Sequence, residues 1–110
     1  MVTIDARQSD LIFDALGHST RREILGLLQS GPLAVGEIAH ELPVSRPAVS
    51  KHLRMLSDAG LVVHSPDGTR NVFRLDQSGF EVARAHLEEF WTNALDNFER
   101  LVAARKKELA

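Results

Sequence analysis

Between Pro43 and Gly60 the apolar positions Val49, Leu53 and Leu56 recur at i, i+4 and i+7, the spacing of a helix with one buried stripe. The same wheel turns Arg46, Pro47, Ser50, Lys51 and Arg54 to the opposite side, and no outward carboxylate joins them before Asp58. Ser45 stands where a side-chain oxygen caps the first turn, and Pro47 sits inside that turn, where its missing N–H costs nothing. Gly60 follows as the residue able to close the helix in a left-handed conformation. Upstream, Val35 to Leu42 carries Ile38, Ala39 and Leu42 on one side, and Pro43 and Val44 leave only a tight turn before Ser45. This pattern predicts a helix-turn-helix over about residues 35–59. In that motif the second helix enters the major groove of double-stranded DNA while the first lies across the backbone.

The rest of the chain frames this pair. Leu11, Ile12, Ala15 and Leu16 predict a short amphipathic helix ending near Gly17. A scaffold helix then runs to Gln29, with Ser19 or Thr20 as its cap, Ile24, Leu25, Leu27 and Leu28 as its apolar face, and Gly31 and Pro32 as its stop. Arg21 and Arg22 in its first turn read equally as a solvated pair or as phosphate contacts. After Gly60 the period changes. Leu61 to His64 and Asn71 to Leu75 are β-prone runs flanking Ser65, Pro66, Asp67, Gly68 and Thr69, a hairpin over about 61–75. Such a wing would carry Arg70 at its tip toward a minor groove or the backbone, and Arg74 toward phosphate.

From about 79 to 107 the sequence predicts one long helix whose stripe includes Leu87, Phe90, Trp91, Ala94, Leu95, Phe98 and Leu101. So broad an apolar face is expected to meet its own copy across a two-fold axis, joined by Leu11 and Ile12 of the first helix. The fold class is therefore mainly α with a small β-hairpin, in the order α-α-α-α-β-β-α, as one winged helix-turn-helix domain over residues 1–110 that dimerises through its first and last helices.

Composition narrows the function. With 44% hydrophobic and 25% charged residues and no apolar run of membrane-span or signal-peptide length, a soluble cytoplasmic protein without a membrane partner is expected. The absence of cysteine excludes disulfides, thiolate nucleophiles and sulfur-ligated metals. The net charge of −2 conceals a bias: residues 45–74 carry Arg46, Lys51, Arg54, Arg70 and Arg74 against Asp58 and Asp67, a balance of +3. No nucleophile, base and orienting group gather at readable spacing, since Ser50 and His52 project in different directions from one helix, so no enzyme is expected. His52 lies nearer the buried stripe and reads as structural.

The phrase Ala15-Leu16-Gly17-His18-Ser19-Thr20-Arg21-Arg22-Glu23-Ile24-Leu25 and the phrase Ser45-Arg46-Pro47-Ala48-Val49-Ser50-Lys51-His52-Leu53, followed by Leu56, Ala59, Gly60, Leu61 and Val62, resemble the ArsR family of bacterial winged-helix repressors. The resemblance runs from about Phe13 to Phe98 and implies a homodimeric repressor whose first and last helices form the interface, with Ser45 to Arg54 reading the operator. Founding members sense metals through cysteines near the third helix or through His and carboxylate ligands on the last. Here Leu33, Ala34 and Val35 offer no ligand, and His86 with Glu89 falls short of the four ligands a closed zinc site needs. Phe90-Trp91, with Leu95 and Phe98, is similar to a metal-independent branch, so no metal and no cofactor are expected, and the sequence names no effector.

On this reading Arg46 contacts a guanine edge, Ser50 a base or phosphate, and Lys51 and Arg54 phosphate, while Pro47 and Ala48 either touch a thymine methyl or simply start the helix. The alternative is a protein-interaction or small-ligand-binding module on the same scaffold.

Overall fold

The computed structural model of the chain describes residues 6–109. Five helices and three strands follow in the order α1 (Ala6–Leu16), α2 (Ser19–Leu28), β1 (Leu33–Ala34), α3 (Val35–Glu41), α4 (Arg46–Asp58), β2 (Val62–Asp67), β3 (Arg70–Leu75) and α5 (Gln77–Leu109). The helices and the hairpin follow in the order that the hydrophobic pattern sets, with α1 opening at Ala6, ahead of its apolar residues. The sequence pattern lacks β1, whose two residues pair antiparallel with β3 through Leu33–Phe73 and Ala34–Val72, giving a three-stranded sheet of order β1-β3-β2. Two residues are too short for any alternation to register, and only the partner strand reveals them.

The core is built around α4. Val49, Leu53 and Leu56 are at most 1% exposed and meet Ile12 and Ala15 of α1, Ile24, Leu25 and Leu28 of α2, and Ile38 of α3. Ile12 therefore belongs to the interior of the protomer, at 0% exposure, and is not available to an interface between copies. Its position on the wheel of α1 is shared with Ala15, which is also buried, whereas Leu11 faces out.

Side chains close the helix ends. Ser45 Oγ accepts from the Ala48 N–H at 3.3 Å and opens α4. At its far end Gly60 turns left-handed, with φ of 79°, and the Leu61 N–H returns to the Leu56 carbonyl at 2.9 Å. Helix α2 is capped neither by Ser19 nor by Thr20: His18 is extended and its Nδ1 accepts from the Thr20 N–H at 3.2 Å. Asp76 Oδ1 accepts from the Ser78 N–H at 3.0 Å, which starts α5 at Gln77, two residues before the predicted beginning.

Arg21 overturns both readings given to it. It is 8% exposed, its Nε donates to the Ala15 carbonyl at 2.9 Å and its Nη2 to the Asp14 carbonyl at 3.1 Å, while Nη1 reaches Met55 Sδ on α4 at 3.2 Å. Arg22 donates to the Leu16 carbonyl at 2.7 Å. The two guanidiniums thus satisfy the free carbonyls at the C-terminus of α1, where the helix dipole favours positive charge.

The first turn of α5 lies against the end of α4. Gly79 is buried, and a Cβ there would run into the carbonyl of Gly60. Beyond His86 the helix leaves the body, and at about 1.5 Å per residue its 33 residues run about 50 Å of a molecule 72 Å long.

Gly79→Ala is expected to lower stability by about 1–3 kcal/mol or more through overpacking, read as a fall in thermal midpoint. Arg21→Met, which keeps the bulk of the stem but loses the donors, is expected to lower the urea midpoint by an equivalent of about 1.5–3 kcal/mol. A midpoint unchanged from the parent would remove Arg21 from the scaffold.

Candidate nucleic-acid interface

With its stripe committed to the core, α4 presents Arg46, Pro47, Ser50, Lys51 and Arg54 to solvent, all of them exposed. Burial of one face thus dictates the chemistry of the other: two guanidiniums, an ammonium and a hydroxyl in three turns. Ser45, Arg46 and Pro47 stand at the N-terminal end, where free N–H groups add positive potential.

Arg46 does not stand alone. Its guanidinium lies over Gly36 in α3, so close that a Cβ on Gly36 would come within 2.8 Å of Nη2. The glycine is the seat of the arginine, a relation between two helices that spacing within one helix does not reveal. Farther along, Ser50, Arg54, Ser57, Asp58, His64 and Phe73 line a groove of about 280 Å³ between α4 and the hairpin. Its walls offer hydroxyl, guanidinium and imidazole donors with one carboxylate.

The hairpin is longer and tighter than its turn-rich sequence indicates. Strands β2 and β3 pair from Val62–Leu75 to Asp67–Arg70, leaving only Gly68 and Thr69 as the turn. Pro66 fits because β2 is an edge strand, where a missing N–H breaks no inner ladder. His64 packs its ring against Phe73 at 5.4 Å between centroids.

Arg70, expected at the tip to reach a minor groove or the backbone, is held by two carboxylates in the protomer. Its Nη1 lies 3.0 Å from Glu37 Oε1 on α3 and its Nη2 3.6 Å from Asp67 Oδ2. The same Glu37 oxygen accepts from the Ala34 N–H at 2.9 Å, so one carboxylate starts α3 and draws the turn end of the wing toward it. The pairs are about half exposed, the setting in which an ion pair contributes about 0–1 kcal/mol and exchanges readily for another anion. Arg74 remains exposed and donates to Ser65 Oγ at 3.3 Å.

On α5 only Gly79 and Ala83 are buried. Leu87, Phe90, Trp91, Leu95, Phe98 and Leu101 are 41–70% exposed, and Ala94 is exposed with them. Leu11 of α1 is exposed at 42%. Among the described residues no three His, Asp or Glu side chains gather in a way that could hold a metal ion. His86 instead sets its ring against Phe13, 5.2 Å between centroids. No described helix is long and apolar enough to cross a membrane.

Comparison with known proteins agrees with this architecture. Residues 18–63 match the family model of the bacterial regulatory proteins of the arsR family. The chain is 50% identical over 96 residues to the HTH-type transcriptional regulator Rv2034 of Mycobacterium tuberculosis, covering 87% of this chain and 90% of that one. An ArsR-like transcriptional regulator from Rhodococcus sp. RHA1 superimposes with a TM-score of 0.76 at 29% identity, covering 89% of this chain and 93% of that one. The solution structure of a homodimeric winged helix-turn-helix DNA-binding domain from Mycobacterium bovis matches with a TM-score of 0.62 at 30% identity, over 88% of this chain and 95% of that one. With α3 and α4 as the helix-turn-helix and β2 and β3 as the wing, the chain belongs to the ArsR family of winged helix-turn-helix transcriptional regulators, and it is not an enzyme.

Proposed function

We propose that the protein is a homodimeric repressor that occupies an inverted-repeat operator without the help of a metal ion. The observation that carries this reading is the division of α4 into a stripe at most 1% exposed and an opposite face of Arg46, Ser50, Lys51 and Arg54. That outward face suits a major groove. Arg46 is the base reader, with two parallel donors for a guanine edge, and Ser50 bonds a base or a phosphate. Ser45, Lys51, Arg54 and Arg74 hold the backbone, and Pro47 abuts the groove wall. Arg70 joins them by exchanging Glu37 for a phosphate, a swap between partners of like charge.

The dimer follows from α5. Leu87, Phe90, Trp91, Ala94, Leu95, Phe98 and Leu101 leave a stripe of apolar surface that a protomer does not cover, and Leu11 of α1 extends it. A second copy packed on this stripe would set two reading helices about 34 Å apart, one turn of duplex, so that both half-sites are read by one body. The acidic segments that flank residues 45–74 disfavour approach to DNA by any other face. Metal independence rests on the missing cysteines and on the use of His86 in packing against Phe13. Work on chromosomal DNA implies the cytoplasm.

The test is selection of binding sites from a random duplex pool in the presence of a chelator. Recovery of an inverted repeat, bound less tightly as salt rises, is the expected result. On that site Arg46→Ala is expected to cost about 1–3 kcal/mol and to relax the sequence preference, whereas Lys51→Ala should weaken all sequences alike and reduce the salt slope by about 1. Equal, sequence-blind losses would refute the division of labour. Trp91→Ala is expected to shift sedimentation from dimer to monomer with the helical content kept, because the ring is 62% exposed in the protomer and its loss opens no cavity there. An unaltered dimer would take Trp91 out of the interface.

A further inference from the structure

Where α2 meets α4, two imidazoles pack against each other at a tilt. The ring centroids of His18 and His52 are 4.8 Å apart, with the planes tilted by 53°. His18 caps α2 through Nδ1, which accepts from the Thr20 N–H. An acceptor at Nδ1 is a ring nitrogen without a proton, so the cap and the contact with His52 depend on that tautomer. His52 belongs to α4 itself. Its Nδ1 is shut off from solvent and has no hydrogen-bond partner among the described residues. A proton there would create a buried N–H without an acceptor as well as a buried charge.

None of the groups that act on His52 among the described residues compensates such a charge. The groups that act on His52 are His18 at the cap of α2, Arg21 within α2 and Lys51 from its own helix, and each of them disfavours a charge on His52. From α1 the carbonyls of Asp14 and Ala15 come to this joint, and both are taken by Arg21. Burial first, and then these three neighbours, hold His52 below the ordinary imidazole range. Between that lowered value and 6.5 the unfolded chain binds a proton that the folded chain refuses, so stability falls as the pH drops through this window.

We infer that His18 is a positioning residue for the reading helix, and that its contact with His52 makes DNA binding acid-labile. The inference rests on the DNA-binding reading above. Acid loosens the seating of α4 on α2 and tilts the outward face of Arg46, Ser50 and Lys51 away from its register. The sign is diagnostic. Histidines that merely gain charge strengthen attraction to phosphate on acidification, whereas this joint weakens it.

The experiment is fluorescence anisotropy of the full chain on a duplex selected at about pH 7.5, repeated down to about pH 5.5 at fixed ionic strength, with thermal unfolding followed over the same range. The parent is expected to lose about tenfold in affinity or more. His18→Asn, whose amide oxygen keeps the cap and takes no proton, should lose clearly less, and the double variant with His52→Gln should show a flat or inverted profile. Parent binding that holds or tightens in acid, or an equal acid loss in His18→Asn, overturns the inference. If no duplex is bound at about pH 7.5, the DNA-binding reading fails on its own, and unfolding decides. An acid-induced fall in thermal midpoint that His18→Asn reduces supports the joint, and parallel profiles overturn it.

Discussion

Everything in this protein leans on the burial of one stripe of α4. Val49, Leu53 and Leu56 are the point at which α1, α2 and α3 converge, and removal of such side chains from water contributes about 1.5–3 kcal/mol each. The helix that carries the basic face is thus also the central strut of the core. Its outward residues need no rigidity of their own, because the rotation of the helix about its axis is fixed from behind. Disturbances to α1 or α2 therefore reach the outward face through the core, and Arg21, which joins two carbonyls of α1 to Met55 of α4, is one physical route.

What the sequence made legible, and what it did not, follows from the range of the interactions. Periodicity is a local signal, so the stripe of α4, the cap at Ser45, the close at Gly60, the hairpin and the long last helix could all be read from neighbours within a turn or two. The misreadings of Ile12 and Arg21 are cases in which the deciding partner lies in another element, whereas the cap of α2 turned on a choice between adjacent side chains. Ile12 has the spacing of a surface stripe on α1, and only the arrival of α4 assigns it to the interior. Arg21 carries a charge that invites solvent, yet the open carbonyls of the preceding helix claim it. His18 displaced Ser19 and Thr20 as a cap because an imidazole nitrogen accepts a backbone N–H as well as a hydroxyl does.

The outward face shows the same division. Its residue types were legible, since a wheel needs only the buried stripe as its reference. Their settings were not: Arg46 over Gly36, Arg70 on Glu37 and the groove that brings His64 beside Arg54 each link residues from different elements. A glycine in the first turn of a short helix was the available signal for the seat of Arg46, and a carboxylate three residues after Ala34 was the signal for Glu37.

The sheet has a consequence for how the molecule behaves among its own kind. A three-stranded sheet exposes two edges, each with unpaired backbone groups that could recruit a strand from another chain. Here one edge, β1, is two residues long, and the other, β2, carries Pro66, which withholds an N–H from any incoming strand. The hairpin projects from the body without offering a template for cross-chain ladders, so at high local concentration its exposed strands resist fibrous assembly and the apolar stripe of α5 is left as the main surface for self-association.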